Sequence, residues 1–172
     1  MTKMAGDQRW RVRVLGLGDV DERALAPFVR ELRAAWDGIV DPAIACAGAG
    51  RDRRAAARTI RGWCDGGGAD VVLTVGCGGH RAEDFAPELT RPLLERELPG
   101  VEERMCLAAP RRPEDLLFRG CAGLRGTTLV VNLPDRPARV RAIARMLAPV
   151  IGHALEKARG SDRECGHAGG GR

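Results

Sequence analysis

The sequence predicts an α/β fold, a parallel sheet covered by helices, and three observations predict it. Strand-length apolar segments alternate with segments of helical period; one wholly buried strand pattern, Asp70-Val71-Val72-Leu73-Thr74-Val75, lies mid-chain; and glycine clusters follow the strands. A length of 172 residues suits one globular domain whose core needs no disulfides.

Val12 to Leu17 reads as the first strand. Leu25, Phe28, Val29, Leu32 and Trp36 then recur at the spacing of one helix face. Ile39 to Cys46 is a second strand, placed at an edge by Pro42, which cannot donate to a ladder. Ala56, Thr59, Ile60 and Trp63 repeat the helical period until Gly66-Gly67-Gly68 stops it. After the third strand and Gly76-Cys77-Gly78-Gly79, the pattern predicts a helix from Pro87 to Leu98, broken by Pro99-Gly100. A short amphipathic piece spans Pro113 to Phe118. Cys121 to Leu124 and Thr127 to Leu133, joined by Arg125-Gly126, read as a hairpin or two neighbouring strands. The last helix runs from Pro137 to Ala158, with Val140, Ile143, Ala144 and Leu147 on its core face. Residues 1–9 are expected to be a flexible N-terminus and the glycine-rich 160–172 a disordered tail, leaving 10–159 as the domain.

Composition excludes several functions. No apolar run approaches the roughly 18–20 residues of a membrane span, and Met1 to Trp10 lacks the apolar core of a secretory signal, so a cytoplasmic protein is expected. Aromatics make up 3% of the chain and Tyr is absent, which leaves no stacking platform for nucleic acid. The net charge of +5 comes from arginines interleaved with glutamates rather than from a basic stripe. The six cysteines show neither zinc nor redox spacing, so they are expected to be small buried hydrophobes, apart from Cys77 in the glycine loop.

Ligands of open α/β sheets bind beyond the carboxyl ends of the strands, and three such loops stand out. Gly16-Leu17-Gly18-Asp19 begins like a dinucleotide fingerprint, but Asp21 occupies the place of its third glycine. In the second loop, Gly76, Gly78 and Gly79 let the backbone approach a ligand and aim N–H groups at an anion, while His80-Arg81 replaces the lysine of a P-loop. Asp84 follows; it either caps the next helix, holds a magnesium ion, or accepts a donor from a heterocycle. The third loop, Asn132-Leu133-Pro134-Asp135-Arg136-Pro137, is shaped by two prolines, and Asn132 can bond a ligand or its own turn.

Two blocks together resemble the MoaB/Mog molybdopterin-binding domain family. Leu73-Thr74-Val75-Gly76-Cys77-Gly78-Gly79 followed by Asp84-Phe85-Ala86-Pro87-Glu88-Leu89-Thr90 is similar to the family's T-x-G-G-T-G loop and R-D-x-T-P-E-A-T segment. Ala122 to Pro134 is similar to its A-G-x-R-G-x-T-L-I-x-N-L-P segment. The likeness covers residues 70–158 closely and 10–69 in element order.

The resemblance implies a doubly wound, three-layer α/β sandwich with a mostly parallel central sheet, assembled as a homo-trimer or higher. It implies a nucleotidyltransferase of molybdenum cofactor biosynthesis that binds molybdopterin and adenylates it with ATP and Mg2+. The pterin's terminal phosphate would attack the ATP α-phosphorus and release pyrophosphate. By the same likeness Gly76, Cys77, Gly78 and Gly79 line the substrate pocket, Asp84 is the essential catalytic carboxylate, serving metal or pterin binding, Glu88 and Thr90 stand beside it, and Asn132 and Pro134 close the site. Asp84 and Asp52 are the expected metal ligands. The chain departs from the pattern at Cys77, at Glu83 in place of an arginine, and at Asp135-Arg136 in place of Gly-Ser. Glu83 and Asp135 bring negative charge toward a site for a polyanion, which costs binding unless a metal offsets it. Two alternatives are therefore set beside the enzyme: a relative that binds without catalysis, and an enzyme on another phosphorylated or carboxylated small molecule that uses Cys77 and His80.

Overall fold

The computed structural model describes residues 9–37, 41–108 and 112–158. The expected flexible N-terminus, the glycine-rich tail and Ile39 at the start of the second strand fall outside these, apart from Arg9. In chain order the elements are β1 (Arg9–Gly16), α1 (Ala26–Trp36), β2 (Asp41–Gly48), α2 (Arg53–Asp65), β3 (Val71–Val75), α3 (Ala86–Thr90), β4 (Arg96–Glu97), α4 (Pro99–Leu107), β5 (Ala122–Arg125), β6 (Thr128–Leu133) and α5 (Pro137–Ala158).

One sheet runs in the order β2-β1-β3-β6-β5-β4. β2, β1, β3 and β6 are parallel, whereas β5 is antiparallel to both β6 and β4. β2 lies at an edge, where Pro42 is tolerated. Gly126, with φ of 55°, makes the tight turn of the β5–β6 hairpin.

Strand alternation splits the core between the two faces of the sheet. Val71, Leu73 and Val75 join Trp10, Val12, Val14 and Val131 under α1 and α5. Val72 and Val130 face the other way, with Leu15, Ile60, Phe85 and Leu89, under α2 and α3. Because α1 and α2 lie on opposite faces, the chain goes outward from β1 to β2 and then returns past β1 to β3. Trp36 clamps the first layer: its ring meets Trp10 edge to face at 5.8 Å, and its Nε1–H donates to the Ala144 carbonyl at 2.9 Å. Val140, Ile143, Ala144 and Leu147 form the buried face of α5 as expected.

One element differs from expectation. The predicted helix from Pro87 to Leu98 is the five-residue α3, a 3-10 turn over Arg91–Leu93, and the edge strand β4. Pro92 has no N–H to donate to the Glu88 carbonyl, so the α-helix gives way to the 3-10 turn there, with Arg91 still helical in its backbone. Pro99 does not break a helix but begins α4 at its first position, where a missing N–H costs nothing.

Candidate functional site

The sheet reverses its direction of growth between β1 and β3, and the loops leaving these two strands pack closely against each other there, a Cβ on Gly18 meeting Cys77 Sγ at 2.6 Å. Backbone bonds tie the neighbouring strand ends together: Leu17 N–H donates to the Val75 carbonyl at 2.9 Å, and Gly18 N–H to the Gly50 carbonyl at 2.8 Å. Gly76 is required here, since its φ is +99° and a Cβ would lie 2.5 Å from the Leu17 carbonyl oxygen. Cys77 follows in the left-handed region at φ 53°, a conformation that side chains seldom adopt. Burial, then the Asp84 carboxylate, push its thiol above the ordinary range. That environment opposes a reactive thiolate.

The next two glycines are backed by side chains. A Cβ on Gly78 would meet Phe118 at 2.7 Å, and one on Gly79 would meet Asp84 Oδ2 at 2.5 Å. Asp84 closes its own turn, accepting from Arg81 N–H at 2.9 Å while its own N–H donates to the Arg81 carbonyl at 3.0 Å. Its Oδ1 accepts no hydrogen bond among the described residues.

Two concavities meet at Asp84. One, of about 350 Å³, extends past Gly78 and Gly79 to Phe118, Pro134, Arg136 and Arg139. The second, of about 410 Å³, lies toward Arg53, Glu88 and Arg119. His80, Arg81 and Asp84 line both.

Nothing in the sequence singles out Phe118 and Arg119, yet they build this wall. Arg119 donates its backbone N–H to Gly78 O at 2.9 Å, its Nε–H to Gly79 O at 2.7 Å and an Nη2–H to Asp84 O at 3.2 Å. Its remaining arm pairs with Glu88. Burial works to raise the Glu88 carboxyl, but the Arg119 guanidinium outweighs it and holds the group low. The signal in the sequence is only that Arg119 just precedes the hairpin; its reach to the glycine loop follows from β5 standing two strands from β3.

Other expected site residues lie elsewhere. Asn132 and Thr90 are fully buried and line neither concavity. The Asn132 amide donates to Thr74 Oγ1 at 2.8 Å and Thr90 Oγ1 at 2.9 Å, and its oxygen accepts from the Cys121 N–H and thiol, each at 3.1 Å. With both donors and its acceptor engaged, this side chain ties β6 to β3, α3 and β5 and offers nothing to a ligand. Asp52 is the N-cap of α2, accepting from Arg54 N–H and Ala55 N–H at 2.9 Å each. These N–H groups, Ala55 first, hold its carboxyl below the ordinary range. Asp19 pairs with Arg51 at 2.9 Å. Asp52 and Asp19 thus line neither concavity beside Asp84.

A sequence profile of the family described as "Probable molybdopterin binding domain" matches residues 47–153. The chain belongs to the molybdopterin-binding domain family. Among solved structures, the molybdopterin biosynthesis enzyme MoaB of Thermus thermophilus superposes with a TM-score of 0.76 at 34% identity, covering 88% of this chain and 97% of that one. A molybdopterin biosynthesis protein of Mycobacterium abscessus gives 0.73 at 29% identity, over 86% and 95%. The molybdopterin adenylyltransferase of Helicobacter pylori J99 is 32% identical over 94 residues, 54% of this chain and 53% of that protein. The matched stretch thus spans about half of that curated relative.

Cys77 aligns with the second glycine of the G-G-T-G loop that the sequence resembles, and its φ of 53° is one that glycine adopts without strain. Among the described residues no group of three or more His, Cys, Asp or Glu is placed to hold a metal, and no helix is long and apolar enough to cross a membrane. The described residues therefore build no all-protein metal cage. Their donor set, one half-buried carboxylate oxygen beside an open cavity, suits a magnesium ion that arrives on phosphates and keeps most of its waters.

Proposed function

We propose that this chain binds molybdopterin and adenylates it with ATP, as a step in molybdenum cofactor biosynthesis. The observation that carries the reading is Asp84, a carboxylate shared by two adjoining concavities and backed by the glycine loop at the carboxyl end of β3. Two concavities meeting at one acid suit a reaction between two substrates. The names of the relatives supply the chemistry: the Helicobacter protein is called a molybdopterin adenylyltransferase.

In this reading an oxygen of the pterin's terminal phosphate attacks the α-phosphorus of ATP. The bond to the bridging oxygen breaks, and pyrophosphate leaves. The protein contributes position and charge. Gly78 and Gly79 admit the ligand against the backbone. Arg81, whose guanidinium forms no ion pair among the described residues, meets phosphate oxygens from between the two concavities. Asp84 Oδ1 holds either the pterin or a magnesium ion, which when bound neutralises phosphate charge. Pro134 shapes the far wall. We place the reaction in the cytoplasm and in a homo-trimer or larger assembly, which size-exclusion chromatography with light scattering reads directly.

The test is incubation with molybdopterin, Mg2+ and ATP, with adenylated pterin and pyrophosphate as the readouts. Wild type forms both. Asp84→Asn, which keeps an oxygen for the Arg81 N–H, unfolds at the wild-type temperature and loses about a hundredfold or more of turnover. Pterin binding by wild type with no adenylated product would overturn the reading.

A further inference from the structure

The solvent face of α2 is arranged against the electrostatics of its own helix. Ala56 and Ile60 form the buried side, with Ala57, Trp63 and Cys64 packed beside them on the second core layer. The opposite side carries Arg54, Arg58 and Arg61, all exposed, at the i, i+4, i+7 spacing that lines side chains up in one stripe. Like charges at this spacing repel and weaken a helix. Arg53 and Arg54 also stand in the first turn, at the positive end of the helix dipole, with no acid there and no base in the last turn. Arg51, Arg91, Arg119 and Arg125 each hold a carboxylate. The guanidinium groups of Arg54, Arg58 and Arg61 form no hydrogen bond or ion pair among the described residues.

Two carboxylates flank the stripe, and both are committed elsewhere. Asp52 caps the helix through Arg54 N–H and Ala55 N–H, and Asp65 is held by Arg125 Nε and Nη2 at 2.7 and 2.8 Å. The same face contains Gly62, an exposed glycine in the helix interior, where glycine is less stable than alanine. A Cβ at Gly62 would meet nothing within 4 Å, so no contact in this chain requires its absence. The repelling arginines and the interior glycine both cost the helix stability with no return inside the fold. Such uncompensated departures mark a functional surface, and a bare backbone position between long basic side chains suits the close approach of another chain.

We propose that this face of α2 is a docking surface for an acidic helix of a partner protein, whose carboxylates at i, i+4 and i+7 match Arg54, Arg58 and Arg61. The stripe is about 10 Å long. Three charges over that length are too few for nucleic acid, whose binders neutralise about six to ten phosphates. They are also fewer than the roughly four to eight of a lipid-headgroup cluster, and the exposed neighbours Gly62 and Asp65 offer nothing apolar to enter a bilayer. A second copy does not supply the match. Among the described residues the acids on the other α-helices are Glu31, Glu88, Glu102, Glu103 and Glu156, and no helix carries three at this spacing. None of the three arginines lines either concavity, so the surface stands apart from the reaction proposed above.

The probe is a blocked, alanine-rich helical peptide of about 20 residues with glutamates at i, i+4 and i+7, titrated into the 15N-labelled full chain at low ionic strength. The Nε–H signals of Arg54, Arg58 and Arg61 shift. A variant combining Arg54→Gln, Arg58→Gln and Arg61→Gln binds about tenfold more weakly. A control combining Arg33→Gln, Arg104→Gln and Arg145→Gln removes the same charge from exposed positions elsewhere and binds as wild type does. The same peptide with its glutamates scattered round the helix binds more weakly than the striped one. The α2 variant melts at or above the wild-type temperature, since it loses repulsion rather than partners. Absence of shifts on α2, equal loss in the control, equal binding of the scattered peptide, or a lowered melting temperature of the α2 variant would each overturn the proposal. So would tighter binding of a DNA duplex or of phosphatidylserine vesicles through the same arginines.

Discussion

Arg119 and Glu88, 31 residues apart in the chain, are ion-paired directly behind the glycine loop. Both side chains are open to solvent, 40% and 51% exposed, so the pair itself contributes at most about 1 kcal/mol to folding. What it fixes is geometry, because the same guanidinium holds the carbonyls of Gly79 and Asp84.

Arg119→Ala is therefore expected to shift thermal unfolding little while lowering adenylyl transfer about 10–100-fold, chiefly in kcat. Arg119→Lys, which cannot fork between the two carbonyls and Glu88, recovers only part. Parallel melting curves and steady-state kinetics read the two effects. A large loss of stability with normal kcat in the surviving protein would contradict the positioning role.

Asn132 has the opposite character. Its side chain satisfies the hydroxyls of Thr74 and Thr90 and the N–H of Cys121, all in the buried core. Asn132→Ala strands these groups, and urea unfolding should show a stability loss of about 2–4 kcal/mol with an unchanged m value. Weaker pterin binding at wild-type stability would instead mean that the amide reaches the ligand.

Burial pushes the Cys121 thiol up to about 12 and that of Cys64 to about 11, from an ordinary value of 9.0. Both folded values exceed the unfolded one, so their contribution to stability is fully present below pH 9.0 and is lost as pH rises toward 11 to 12. Stability should fall across that window. Cys121→Ser, which keeps a donor for Asn132 and does not titrate there, should flatten its upper part. An identical pH profile for the variant would refute the assignment.

Asp52→Ala removes the cap of α2 and should lower the melting temperature, whereas Asp52→Asn should not. Neither should change the dependence of turnover on magnesium concentration. A raised magnesium requirement in Asp52→Asn would restore Asp52 as a metal ligand.

Short-range pattern in the chain is enough to read the class of fold, the order of β1, α1, β2, α2 and β3, and the three loops that leave the carboxyl ends of β1, β3 and β6. Those features are local: a period of two or 3.6, a glycine where φ turns positive, a proline at an edge. The chain also carries the two blocks of family resemblance, which point to Asp84. The run after Pro87 misleads because an apolar period there outlasts Pro92, and Pro99 opens α4 instead of closing a helix.

Which polar residues face a ligand depends on long-range packing. Asn132 and Asp52 have the right chemistry for a site, but a buried amide must find partners in the core and an acid before a helix finds free N–H groups first. Conversely, Arg119 and Arg139 carry no motif, and Arg136 stands in the third loop only as a departure from the family pattern. They matter because pairing β5 and β6 beside β3 brings them to Gly79, Glu88 and Asp115, residues 21 to 40 positions away in the chain or, for Arg139, reached through the packing of α5. Charge alone is mute about such pairings, since an arginine's side chain is long and its partner is chosen by the sheet order.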